Sequence, residues 1–77
     1  MVRIKLYGTL RLKCGMSGME VYTDSIKDAC GLLSRATGVP EKEFRRCTFA
    51  VNGKKVKYAA KLSDGDELVF LTPSGGG

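Results

Sequence analysis

Histidine is missing from this chain, and with it go the commonest general base near neutral pH and the commonest metal ligand. Neither a metal centre nor a Cys–His nucleophile is expected. Cysteine is scarce: Cys14, Cys30 and Cys47 are odd in number and fit no C-x-x-C spacing. Disulfide frameworks normally use an even set, so free thiols in a reducing compartment, the cytoplasm, are expected instead. No apolar run approaches the roughly 20 residues needed to span a bilayer. The opening "MVRIKLYG" carries charge at alternate positions, unlike a signal peptide, so no membrane partner is expected. Nucleic-acid motifs are lacking as well. The net charge is +5, from 13 Lys and Arg against 8 Asp and Glu. The cations are scattered, with modest clusters at Arg45 and Arg46 and at Lys54, Lys55, Lys57 and Lys61, and no aromatic is interleaved among them. That distribution reads as a solvated basic face, and no nucleic-acid partner is expected.

What remains is a small globular composition, 77 residues with 43% hydrophobic and 27% charged. That is enough for one domain near the lower limit of what a single core can stabilise. "VRIKLY" alternates, with Val2, Ile4 and Leu6 on one face and Arg3, Lys5 and Tyr7 on the other, the period of a half-buried strand. "MEVYT" alternates again, so a first hairpin from Val2 to Thr23 is expected, with a long turn through "LRLKCGMSG". Ile26, Ala29, Cys30 and Leu33 then recur at helical spacing. Ser25 with Asp28 approximates a capping box, Gly38 suits a left-handed C-cap, and Pro40 prevents continuation. Gly31 interrupts this helix at a cost of roughly 1 kcal/mol against alanine; close packing on the sheet is one way to offset it.

"EKEFRRC" reads as a polar connector with one apolar anchor, Phe44. "TFAVNGKKVKY" reads as two short strands joined at Asn52-Gly53. "SDGDE" is a further turn, and "ELVFL" the last strand. That strand does not alternate: Leu68, Val69, Phe70 and Leu71 are all apolar, and a single helix covers only one face of a sheet. With Leu68 and Phe70 toward the helix, Val69 and Leu71, joined by Ala50, point away from it. Either connectors bury that second face or it is an exposed apolar patch for a partner.

The end of the chain is of another kind. In "LTPSGGG", Pro73 has a fixed φ that stiffens the exit from the last strand, and Gly75, Gly76 and Gly77 carry no side chains. A triple glycine adds nothing to a core, and either a frayed end or a working thread fits it. The expected division is a domain over residues 1–71 and a flexible tail over 72–77.

The strand–helix order, "VNGKKV", "LSDGDELVFLTP" and the terminal glycines together resemble the ubiquitin-like sulfur carriers. Within them, "IKLYGTLR" and "FLTPSGGG" look most like the small subunit of molybdopterin synthase. The resemblance runs from Val2 to Gly77. It implies an α+β fold of the β-grasp type, a mixed four- to five-stranded sheet packed on one main helix with a flexible C-terminal tail. It also implies chemistry at Gly77: an activating adenylyltransferase joins the terminal carboxylate to AMP from ATP, and sulfur then replaces AMP to give a thiocarboxylate. Gly76 and Gly75 supply the reach. The carrier itself would bind no cofactor, and it would act with a larger catalytic subunit rather than as an enzyme alone. Val69, Leu71, Pro73 and Ala50 would form the partner-binding surface.

Two departures from the family pattern stand out. The chain ends on three glycines rather than two, and "KCGMSGME" replaces an acidic segment. None of the cysteines lies near the tail in sequence, and Cys30 falls on the apolar helical face, a core position. Three uses of such a tail remain open: sulfur delivery for molybdopterin, sulfur delivery to thiamine's thiazole or to cysteine, and isopeptide attachment to lysines of other proteins. The "LYGTLR" start favours the first.

Overall fold

The computed structural model describes residues 1–72. The expected opening hairpin is present. Strand β1, Val2–Leu6, pairs antiparallel with β2, Gly18–Val21, through Val2 opposite Val21 and Ile4 opposite Met19. Its connection is not the long turn expected but a short helix, α1, over Gly8–Cys14. Local sequence hides this helix for physical reasons. Tyr7 at its N-cap makes no side-chain capping bond, and Leu10 is its only buried residue, while Leu12 stands 80% exposed. A seven-residue segment with neither a cap nor an amphipathic stripe lacks both helix signals. Its end is marked by Gly15 at φ +70°, whose N–H reaches the Arg11 carbonyl at 3.0 Å.

The main helix, α2, runs over Ile26–Thr37 and buries Ile26, Ala29, Cys30 and Leu33, the four positions given by the helical spacing. Ser25 Oγ accepts the Asp28 N–H at 3.1 Å, as in a capping box. The reciprocal arm differs: the Asp28 carboxylate accepts the Thr23 hydroxyl at 2.7 Å, and Thr23 Oγ1 in turn accepts the Ser25 N–H at 3.4 Å. Gly38 ends α2 at φ +80°. Gly31 does not pack on the sheet. A methyl there would meet nothing nearer than Glu41 Oε1 at 3.9 Å, so the expected packing reason is overturned.

After Pro40 the supposed connector forms a third helix, α3, Glu41–Arg45. Its single large apolar side chain, Phe44, is fully buried and meets Phe70 edge-on at 5.8 Å, and Phe70 meets Phe49 edge-on at 5.4 Å. This aromatic chain pins α3 to the sheet. Strands β3, Thr48–Val51, and β4, Lys54–Val56, form the second hairpin, with Asn52 at φ 51° and Gly53 at φ +86°, both left-handed as a two-residue Asn-Gly turn requires.

Strand β5, Glu67–Leu71, lies at the centre of the five-stranded sheet, whose order is β2-β1-β5-β3-β4. It pairs parallel with β1 and antiparallel with β3. The parallel pair at the centre with antiparallel hairpins outside, curled round one main helix, is the β-grasp, ubiquitin-like fold. One face of the sheet supplies Val2, Ile4, Leu6, Val21, Phe49, Leu68 and Phe70 to the core against α2. The other face has no helix.

Candidate functional site

Register settles what the helix-free face presents. Opposite strands place side chains of one face side by side, so Lys5 opposite Val69, Val69 opposite Ala50, and Ala50 opposite Lys55 form one row across four strands. Leu71 opposite Thr48 begins the next row toward the end of β5. Val69 and Ala50 are half-buried and Leu71 is 41% exposed. Connectors therefore do not cover this face among the described residues, and the burial alternative for Leu71 fails.

The other end of the face is ionic. Glu67 Oε2 lies 3.4 Å from Lys5 Nζ and 4.0 Å from Arg3, and Arg3 is 3.9 Å from Glu20. Such exposed pairs contribute little stability, but they leave the apolar part of the face at the end where the chain leaves the sheet. Lysines stand on both sides of it: Lys5 is held by Glu67, while Lys55 has no ion pair among the described residues.

The face does not stop at the sheet. Tyr7, one residue beyond the pairing of Leu6 with Phe70, is 46% exposed and lines a hollow with Lys5, Arg11 and Gly18. Its place beside Leu71 depends on the parallel pairing of the first and last strands, which no local pattern reveals. The alternation did put Tyr7 on the outward face of β1; what it could not show was the neighbour.

At the root of the tail, Thr72 is half-buried beside α1 and α3, lining a cleft with Thr9, Leu10, Lys13, Glu43, Arg46 and Cys47. Lys13 Nζ donates to Glu43 Oε1 at 2.8 Å and ties the two short helices together across this cleft. The Lys13 ammonium also holds the Glu43 carboxyl below the usual range.

The ThiS family profile matches residues 4–77. The chain belongs to the ThiS family.

Structures similar to this ThiS-family chain share its fold. Small archaeal modifier protein 1 from Methanosarcina acetivorans is 19% identical with a TM-score of 0.84, covering 99% of this chain and 95% of its own. A chain of the BexX/CysO complex of Amycolatopsis orientalis is 21% identical, TM-score 0.78, with complete coverage of both, 100% each. A chain of the complex of subunits 1 and 2 of the molybdopterin-converting factor from Helicobacter pylori 26695 is 21% identical, TM-score 0.70, covering 99% and 97%. No curated protein matches the chain. With its family and fold, the chain is a ThiS-type carrier with a ubiquitin-like body.

The fold gathers the expected docking residues unevenly. Ala50, Val69 and Leu71 come together as adjacent positions on β3 and β5, whereas Pro73, Gly75, Gly76 and Gly77 lie outside the described residues. The cysteines are brought closer than their sequence positions suggest, since Cys47 shares a cleft with Thr72. Its chemistry is nevertheless that of a core residue. Burial pushes the Cys47 thiol up to about 11, and its Sγ–H donates to the Glu43 carbonyl at 3.4 Å. Burial pushes Cys30 up to about 12. Only the thiolate is a good nucleophile, so thiols raised this far are poor candidates for sulfur transfer. Among the described residues no cluster of His, Cys, Asp or Glu could hold a metal ion.

Proposed function

We propose that this ThiS-family chain carries sulfur on its C-terminal carboxylate for molybdopterin synthesis. One observation carries the reading: exposed Leu71 and half-buried Val69 and Ala50 lie together on the helix-free face and lead directly to Thr72, where the chain leaves the sheet. A partner that covers this face receives the following residues at its own reaction centre.

The chemistry runs in two steps. The Gly77 carboxylate attacks the α-phosphorus of ATP held by an adenylyltransferase, and pyrophosphate leaves. A partner-borne persulfide then attacks the acyl carbon and AMP leaves; cleavage of the S–S bond by a thiol gives the thiocarboxylate. A larger synthase subunit docks the same face and supplies the pocket for the pterin precursor and the acid–base groups. The carrier's contribution is shape: glycines without Cβ at 75, 76 and 77 fit a narrow channel, and the sheet face fixes the register of entry. ATP belongs to the activating enzyme.

The structural likeness to a chain of the two-subunit Helicobacter pylori complex supports pairing with a second subunit. Likeness to a small archaeal modifier protein favours one second reading, isopeptide attachment of Gly77 to lysines of other proteins. Intact-mass measurement on the chain purified from its own host separates them. One oxygen exchanged for sulfur at the C-terminus is expected, whereas ladders of conjugates would support the modifier. Deletion of Gly75, Gly76 and Gly77 should abolish molybdopterin formation in a complemented strain; unimpaired synthesis would overturn the carrier reading.

A further inference from the structure

Two glycines bracket α1, and they differ in one respect. Gly8, its first residue, has φ +66°, and Gly15, its C-cap, has φ +70°. Both backbones therefore disfavour any side chain to a similar degree. A methyl at Gly15 would meet nothing within 4 Å. A methyl at Gly8 would stand 2.5 Å from Thr72 Oγ1 and 3.6 Å from Thr72 Cβ and Cγ2. The space that glycine leaves at position 8 is thus filled by Thr72, the residue at which the chain leaves the sheet.

We propose that Gly8 is a positioning residue: its bare Cα seats the Thr72 side chain against the start of α1, and this seat fixes the backbone at Thr72, from which the reactive end is presented to a partner. The inference rests on the carrier reading, because only a chain whose end must reach a distant reaction centre needs the backbone at its root fixed. The seat acts at the root, where the segment that a partner must receive begins. A reacting group displaced by about 1 Å can cost about a hundredfold in rate. The docking face is separate from the seat: Val69, Leu71 and Ala50 lie on β5 and β3, so a disturbed seat should leave docking alone and impair the chemical step.

The test compares Gly8→Ala with Gly15→Ala in ATP–pyrophosphate exchange catalysed by the host's adenylyltransferase. Gly8→Ala is expected to lower kcat roughly ten- to a hundredfold with KM little changed. Gly15→Ala, which carries the same backbone strain without the collision, is expected to react as wild type. Thr72→Ala empties the same seat from the other side, so it should lower kcat to a similar degree, and Gly8→Ala combined with Thr72→Ala should be little worse than either alone. Equal kinetics for the two single glycine variants, wild-type kinetics for Thr72→Ala, or losses that multiply in the double variant, would overturn the proposal. If the wild-type chain is not activated at all, the carrier reading fails instead. The seat is then judged by NMR: contacts between the Thr72 methyl and residues 8 and 9 should be lost in Gly8→Ala and kept in Gly15→Ala, and their persistence in Gly8→Ala would refute it.

Discussion

Asn52 donates a hydrogen bond from Nδ2 to the Asp66 carboxylate at 2.9 Å, and the two residues brace turns that are 14 positions apart in sequence. Asn52 Oδ1 also accepts the Glu67 N–H at 2.9 Å, and the second oxygen of Asp66 accepts the Ser63 N–H at 2.8 Å. The brace sits where β5 begins, so it fixes the register of the strand that carries Val69 and Leu71.

This makes Asn52 more than a turn former, and two substitutions separate its roles. Asn52→Gly keeps the left-handed conformation but loses the side-chain bonds; Asn52→Ala loses both. We expect Asn52→Gly to lower stability by about 1 kcal/mol and Asn52→Ala by about 2 kcal/mol. Urea denaturation at neutral pH measures both. Equal loss in the two variants would show that the left-handed conformation costs alanine nothing, and no loss in Asn52→Gly would show that the side-chain bonds contribute nothing.

Asp66 gives the same brace a pH dependence. The backbone hydrogen bond from Ser63, then the one from Asn52, hold its carboxyl below the usual range. A carboxylate depressed by folding stabilises the native state above its unfolded pKa, and that contribution is lost as pH falls through the folded value. Stability of the wild type should thus decline below about pH 4, and Asp66→Asn should flatten part of that decline. A melting temperature measured from neutral pH into the acid range shows whether the two curves converge, as expected, on acidification.

Gly31 offers the opposite case, a substitution that should help. No neighbour occupies the space a methyl would take, and its φ is not left-handed. Gly31→Ala should therefore raise stability by about 1 kcal/mol, equivalent to several degrees in a domain of this size. A melting temperature that fell instead would mean that the outer side of α2 is more crowded than its geometry indicates.

Much of this was legible in the sequence because local and global signals agreed. The helical spacing of Ile26, Ala29, Cys30 and Leu33, the Asn52-Gly53 turn and the unbroken apolar run of β5 each reflect a local rule and are each realised in the fold. Helices α1 and α3 were hidden because each is short and buries a single residue, Leu10 in one and Phe44 in the other. Tertiary packing, rather than propensity, holds them. The surroundings of Tyr7, the seat of Thr72 on Gly8 and the shared cleft of Cys47 depend on the parallel pairing of chain ends and on helix docking. No window of neighbouring residues encodes those relations.

The proposed docking face yields a prediction about partition between folding and binding. Leu71 is 41% exposed and contributes little to the core, so Leu71→Asp should leave the thermal melt nearly unchanged. Placed at the centre of an apolar contact, the carboxylate should weaken binding to the adenylyltransferase tenfold or more, about 1.4 kcal/mol. Phe70→Ala, one residue earlier but pointing into the core, should do the reverse and cost roughly 3–5 kcal/mol of stability. Calorimetric binding beside a melt of each variant distinguishes the two faces of one strand. Unfolding of Leu71→Asp would return Leu71 to the core.

Charge should govern how fast that binding occurs. Lys55 lies across from Ala50 on the helix-free face and has no ion pair among the described residues, so its field is not cancelled locally. A partner groove with carboxylates around an apolar centre would be drawn to it, and such steering acts mainly on the association rate. Lys55→Glu should slow association most at low salt, and the difference from wild type should shrink as NaCl rises, because the screening length is only about 10 Å at 0.1 M. Net charge alone would have the same sign of effect, so the comparison needs a matched change elsewhere. Lys27→Glu supplies it: Lys27 is exposed on α2, on the other side of the sheet, and the total charge falls equally. Stopped-flow association with the adenylyltransferase should show the larger loss for Lys55→Glu. If the two variants slow equally, the attraction belongs to the basic molecule as a whole, and the lysines beside Val69 and Ala50 do not select the partner.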